Sequence, residues 1–312
     1  MNPRVAWAGI FHLCVIYLVW GSTYLGIRVA ILEGFPPFVL GALRVLVAGG
    51  LLLLWAVLRR ARVRISWEEA RILAVSGLLF WVGANGLVMW GEQRSASGYA
   101  ALLAALAPIW AAVLEAGLNR RAPSWLTVLA LVTGFCGVGV LSLPERTAPQ
   151  AGDLGSTLAL LIAAMCWAAG SVFQQRRRVQ VEPAVSSGYQ QLFAGLGFAI
   201  AALAARESLP HVSPSGWVAW GYLVVFGSLL AFTSYVVVLR LLPVSIATTA
   251  NYVNPAVAVF LGWLVLRESV TVWTLSGTAL VLLGVAGVFH DRSRYLRSTG
   301  PATSLRQREA GT

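Results

Sequence analysis

Lysine is missing from this sequence of 312 residues, and all 23 of its basic side chains are arginine. Charge as a whole is scarce: charged residues make up 11% of the chain, against roughly 25% in soluble domains. A water-soluble surface cannot be built from so few, whereas a chain solvated by lipid needs charges only at its ends and loops. Soluble enzymes, nucleic-acid binders and secreted disulfide scaffolds are excluded on this ground. Cysteine is limited to Cys14, Cys136 and Cys166, each inside an apolar run and without the paired spacings of a zinc site or redox dithiol. They read as small buried hydrophobes. Walker A, His-Glu-x-x-His and Gly-x-Ser-x-Gly patterns are absent, which leaves ATP hydrolysis, zinc chemistry and serine hydrolysis without residues and implies no cofactor and no metal. Acids are missing from the middle of every apolar run, with Glu92 and Glu115 a few residues from run ends and Glu33, Glu68 and Glu69 in loops. A proton-driven antiporter built on a mid-span carboxylate is thereby disfavoured.

Hydrophobic side chains, by contrast, supply 58% of the residues. A membrane-crossing helix needs about 20 mostly apolar residues, and ten such runs can be read: Ala8 to Ile27, Pro37 to Leu58, Ile72 to Trp90, Ser97 to Leu118, Ser124 to Leu143, Leu154 to Phe173, Ser186 to Ala205, Gly216 to Leu239, Val244 to Leu266 and Val272 to Phe289. The first lies behind Arg4 alone and has no small-x-small cleavage site, so it reads as a retained span and not as a signal peptide. The predicted class is an all-α integral membrane protein. Asp291 to Thr312 mixes Arg, Ser, Gly, Pro and Gln without apolar periodicity and reads as disordered.

Arginine placement orients the chain. Seventeen arginines fall on one side of the ten-span scheme and five on the other, with Arg44 inside a span. The positive-inside rule then puts both termini in the cytoplasm. The net charge of +11 is thus a signature of topology, and the arginine-rich loops are compatible with anionic lipid head groups as partners.

Shifting the second half over the first by 147 residues aligns Trp20 with Trp167, Pro108 with Pro255, Ala111 with Ala258 and Gly137 with Gly284. The tryptophans fall in the first span of each half, the prolines in the fourth and the glycines in the fifth. Five is odd, so the second unit must be inverted in the membrane. Inverted repeats related by an axis in the membrane plane are a recurring architecture of secondary transporters, with the substrate site where the repeats meet. The first unit is placed at 8–143 and the second at 154–290, joined by the polar, proline-containing linker Pro144 to Asp153.

Two tandem five-helix repeats, the run Trp20-Gly21-Ser22-Thr23-Tyr24, Arg44, Pro108, and Asn254-Pro255 followed by Leu266-Arg267-Glu268 together resemble the EamA-type members of the drug/metabolite transporter superfamily. The resemblance implies a ten-helix bundle whose cavity is lined mainly by helices one to four and six to nine, with the fifth and tenth peripheral. It also implies export of small metabolites, often amino acids. Asn119-Arg120-Arg121, the counterpart of Leu266-Arg267-Glu268, departs from the pattern because it carries no acid.

Arg44 lies about 10 Å below one end of its span at 1.5 Å per residue, where a charge costs at least ~2.5 kcal/mol. It reads either as a counter-charge for a substrate carboxylate or phosphate or as a structural arginine bonded to helix-end carbonyls. Trp20, Ser22, Thr23, Arg44, Trp167, Tyr252 and Asn254 are the candidate substrate-binding residues, with helix packing the alternative for each. Gln190, Gln191, Thr233, Ser234 and Asn251 are further polar groups at membrane depth that need partners. His12 reads as a packed or interfacial residue; Trp7, Trp125 and Trp273, near span ends, suit an interfacial belt. Pro108 and Pro255 are expected to bend their helices at matched depths. The resulting expectation is an inner-membrane secondary transporter, monomer or homodimer, that exports a small metabolite such as an amino acid by alternating access. Its rivals are a broad drug efflux transporter, a channel, and a membrane enzyme acting on a lipid-linked substrate.

Overall fold

The computed structural model describes residues 3–120, 124–141, 154–177, 179–208, 211–241 and 250–298. Within these residues the helices follow one another as ten rods: α1 Pro3–Leu32, α2 Pro37–Leu58, α3 Trp67–Gly91, α4 Ser97–Leu118, α5 Trp125–Leu141, α6 Leu154–Arg176, α7 Pro183–Ala204, α8 Pro214–Leu241, α9 Ala250–Leu266 and α10 Val272–Ser298. Six of them, α1 to α4, α6 and α8, are long and apolar enough to cross a membrane, and shorter apolar stretches lie in α5, α9 and α10. The chain is a multi-pass helical membrane protein. Its exterior agrees: Leu18, Leu54, Val132, Leu196 and Leu283 are all exposed, as lipid-facing side chains are.

Local chemistry sets the rod ends. Pro37, Pro183 and Pro214 open their helices at the first turn, where a missing N–H costs nothing. Ser66 and Glu69 form a reciprocal capping box at the start of α3. Gly34, Arg60 and Arg206 close α1, α2 and α7 in left-handed backbone conformations, with the two hydrogen bonds of a Schellman turn. Arg120 and Arg267, after α4 and α9, adopt the same conformation.

Helix pairing shows how the halves meet. α2 packs on α7, α5 on α10, α1 on α8 and α9, and α6 on α3 and α4. Exchanging each helix for the one five places on returns the same set of pairs, as two five-helix repeats related by a pseudo-two-fold axis require. The matched glycines lie in the α5–α10 crossing. A Cβ on Gly137 would stand 2.7 Å from the Val281 nitrogen, and one on Gly284 2.7 Å from the Ala130 carbonyl oxygen.

Several expectations need correction. Cys14 and Cys136 are exposed and Cys166 half-buried, all three free, because in a lipid-solvated bundle an apolar run is as free to face outward as inward. α10 continues to Ser298, so the segment from Asp291 starts as helix; residues 299–312, like the linker 144–153, lie outside the described residues. Pro108 and Pro255 behave differently: α4 is interrupted at Ala105–Leu106 and restarts as Ala107–Leu118 with Pro108 in its first turn, whereas α9 runs unbroken through Pro255.

Candidate functional site

The third helix of each half carries a stretch of π-helix, Leu78–Gly86 in α3 and Leu223–Phe232 in α8. Such i to i+5 windings are rare and are frequently found at functional sites. Both stretches border a cavity walled by α1, α2, α3, α4, α6, α8 and α9, to which α5, α7 and α10 contribute no lining residue among those described. It has about 70 Å³ of room for the centres of water molecules, several times the ~10–15 Å³ that one water needs.

Arg44 projects from α2 into this space and is 2% exposed. Its Nε donates to the Ser228 hydroxyl on the α8 π-stretch at 2.8 Å, and its guanidinium carbon lies 4.9 Å from the centre of the Trp81 ring on the α3 π-stretch. Gly227 makes room for it, since a Cβ there would stand 2.7 Å from Nη2. Arg44 Nη1 has no partner among the described residues. On the cavity's α9 wall the Asn254 Oδ1 is likewise buried and unpaired. One lined space therefore offers a free cationic donor and a free carbonyl acceptor.

Trp20, Tyr24, Trp81, Trp167 and Phe232 bring aromatic rings to a wall otherwise made mostly of small and aliphatic side chains, and Tyr235 packs against two of them without lining the cavity. Trp20 and Trp167, equivalent under the repeat, meet edge to face with centroids 5.1 Å apart, and Tyr235 stands 5.0 Å from Trp20 and 5.2 Å from Trp167. The Tyr235 hydroxyl is bonded to that of Ser171 at 2.8 Å.

Of the seven residues proposed from sequence, Trp20, Thr23, Arg44, Trp167 and Asn254 line this cavity. Thr23 donates its hydroxyl to the Trp20 carbonyl at 2.7 Å. Ser22 does not line it; its hydroxyl is bonded to the Val19 carbonyl at 2.7 Å and to the Tyr222 hydroxyl. The Tyr252 and Asn251 side chains lie outside the described residues. Gln190 donates to Ser76 and Gln174, Gln191 donates to Ser187 on its own helix and to the Ser228 carbonyl on α8, Thr233 bonds Ser187, and Ser234 bonds His12, so these groups tie helices together, although the Oε1 atoms of Gln190 and Gln191 have no partner among the described residues. Trp7, Trp125 and Trp273 are exposed, at 71%, 74% and 46%. Sequence reasoning missed Trp81, Asn85 and Phe232; the available signal was the glycine spacing of the third helices, too generic to single them out.

The sequence matches the EamA-like transporter family twice, over residues 7–143 and 154–290. This chain belongs to that family. An Escherichia coli K12 protein named as an uncharacterized inner membrane transporter, YedA, is 33% identical over 254 residues, 80% of each chain. YoaV of Bacillus subtilis, named as an uncharacterized transporter, is 26% identical over 86% of this chain and 92% of its own. An S-adenosylmethionine/S-adenosylhomocysteine transporter of Chlamydia trachomatis is 25% identical over 91% of this chain and 90% of its own. A crystal structure 20% identical to the chain superposes with a TM-score of 0.65, covering 95% of this chain and 99% of that one, a likeness of fold. Family membership makes the protein a transporter and not an enzyme.

Charged groups also join the halves of this EamA-like transporter at the helix ends. Glu268, after α9, accepts from the Ser97 nitrogen at 2.9 Å and the Ser97 hydroxyl at 3.0 Å at the start of α4. Glu207, after α7, accepts from the Phe38 and Val39 nitrogens at 3.1 and 2.8 Å at the start of α2. A carboxylate there meets both orphan N–H groups and the positive end of the helix dipole. Glu33, after α1, accepts from the Ser213 hydroxyl before α8, and that bond holds its carboxyl below the usual carboxylate range. Glu92, placed by sequence at a span end, is completely buried and neither side-chain oxygen has a partner among the described residues.

Proposed function

We propose that this protein is a secondary transporter that exports a small zwitterionic metabolite, an amino acid or a compound bearing an amino-acid head group, across a bacterial inner membrane by alternating access of two inverted halves, with both termini in the cytoplasm. The observation that carries the reading is the pairing of unsatisfied groups in one cavity. Arg44 Nη1 is a buried donor with no carboxylate paired to it, and Asn254 Oδ1 a buried acceptor. A buried polar atom without a partner costs about 1 to 3 kcal/mol, more when charged, and a ligand that supplies both a carboxylate and an ammonium removes both costs. Trp20, Trp81 and Trp167 favour an apolar or cationic remainder on such a ligand. The Chlamydia relative supports the same class, since S-adenosylmethionine and S-adenosylhomocysteine both carry an amino-acid head group. The inner-membrane setting follows the E. coli relative's name.

Alternating access suits this arrangement because Arg44 is held by both halves, by Trp81 from the first and Ser228 from the second. Relative movement of the halves changes the bonds available to its guanidinium, and a bound carboxylate compensates for those lost.

The test is counterflow in proteoliposomes preloaded with unlabelled amino acids, S-adenosylmethionine, sugars or cationic drugs, followed by uptake of each labelled species. Accelerated exchange of zwitterions, lost in Arg44→Gln, is the expected result. Exchange of cationic drugs alone, undiminished in Arg44→Gln, would overturn carboxylate recognition and make the protein a drug efflux transporter.

A further inference from the structure

Glu92 is the one acid among the described residues that is both fully buried and unpartnered at each carboxylate oxygen. It caps the C-terminal end of α3, where the helix dipole is negative and disfavours a second negative charge. One turn earlier on the same helix, Val88 lines the cavity. Across from it on α1 stand Tyr24, which lines the cavity and interacts electrostatically with Glu92, and Arg28, whose Nη1 donates to the Glu92 backbone carbonyl. The charged groups acting on the carboxyl are thus Arg28 from α1 and Glu268 from the turn after α9, of opposite sign; Arg94, two residues on, is exposed. From α6 the side chain of Leu160 packs at the adjacent Gly91, and an apolar wall lends no stabilisation to a carboxylate.

A buried carboxylate without hydrogen bonds is expensive, and such a group binds a proton instead. The partner for its ionised form is already within reach, because Arg28 is spent on the carbonyl of the same residue. From this geometry we propose that Glu92 is a proton-binding site of the transporter, taking up and releasing a proton in step with the opening of the cavity. In the protonated state the carboxyl is neutral and Arg28 holds the Glu92 carbonyl oxygen. On release, the O–H bond breaks, the proton passes to water entering beside Tyr24, and the carboxylate takes the Arg28 guanidinium from the backbone. That exchange shifts α1 against α3, two walls of the cavity. The inference rests on transport, which family membership shows, and is independent of what the cavity carries.

The test therefore uses the proton as its ligand. Infrared difference spectra of the purified full-length protein between about pH 5 and pH 9 should contain the C=O stretch of a protonated carboxyl that fades as pH rises and is missing in Glu92→Gln. Arg28→Gln, which removes the opposing cation, should move the midpoint up by at least about one pH unit. Hydrogen–deuterium exchange along residues 20–28 should differ between wild type and Glu92→Gln above the midpoint and coincide below it. A spectrum in which Glu92→Gln removes no titrating band overturns the site, and α1 exchange that is the same in the two proteins at every pH overturns its link to the cavity. Should Glu92→Gln fail to fold, Glu92→Asp must move the band and its midpoint, and an unmoved midpoint overturns the proposal. A drug substrate in the counterflow panel would leave all three readouts standing.

Discussion

Glu207 and Glu268, at the ends of α7 and α9, place their carboxylate oxygens on backbone N–H groups of the other half, whereas Arg44 and Asn254, inside the cavity, each keep a polar atom unpaired among the described residues. Both regions join the two repeats, and both are built from groups too polar for hydrocarbon. Their difference is satisfaction. A carboxylate saturated by helix-end donors holds the halves together and has nothing left to offer a ligand; a guanidinium held by one hydroxyl and one ring face stays in place and keeps a donor free. Unpaired buried atoms also occur away from the cavity, on Gln190 and Gln191 among others, so it is an unpaired group on the cavity wall that points to function.

The largest effect that would break this contrast is expected at Arg44. Arg44→Gln should lower counterflow of a zwitterion by at least about tenfold, or ~1.4 kcal/mol, while thermal unfolding in detergent shows no loss of stability, because the variant removes a buried charge that has no counter-charge beside it. A variant that unfolds instead would put Arg44 with the architectural group. Next in size, Glu268→Ala and Glu207→Ala should each destabilise by about 0.5 to 2 kcal/mol, as the loss of a helix N-cap does. Glu268 should cost more, since it also accepts from the Ser97 hydroxyl; equal melting curves for wild type and both variants would contradict the assignment. Gly227→Ala sharpens the comparison from inside the cavity: the new methyl meets the far end of Arg44 and should displace it, weakening transport by up to about tenfold with a stability change below about 1 kcal/mol.

The smallest effect concerns pH. The Ser213 bond holds the Glu33 carboxyl below its ordinary range. Its contribution is therefore fully present above the unfolded-state value and lost as pH falls through the folded one. Melting curves below about pH 4.5 should show wild type losing stability more steeply than Glu33→Gln, and parallel curves would remove Glu33 from the architectural set.

Much of this division can be read before folding, and the rest cannot for physical reasons. The run from Pro37 to Leu58 coincides with α2 because proline opens a helix and arginine stops burial in lipid. Trp20 and Trp167, found by repeat alignment, face each other because residues equivalent under a two-fold axis meet when they lie near it. Ser22 could not be told from Thr23, since one residue turns a helical side chain by about 100° and only packing decides which hydroxyl faces the cavity. Glu92 was hidden because burial at a span end depends on what neighbouring helices place over it. The π-stretches left no period in the sequence that separates them from α-helix.

Composition and charge placement determined the solvent, the helical class and the two-repeat plan, since lipid admits only backbones that bond within themselves and arginine marks where those helices end. The tertiary structure alone decided which polar atoms are paired. Pairing depends on contacts between helices far apart in the chain, such as Arg44 with Ser228, 184 residues away, and no local pattern encodes a distance across the bundle.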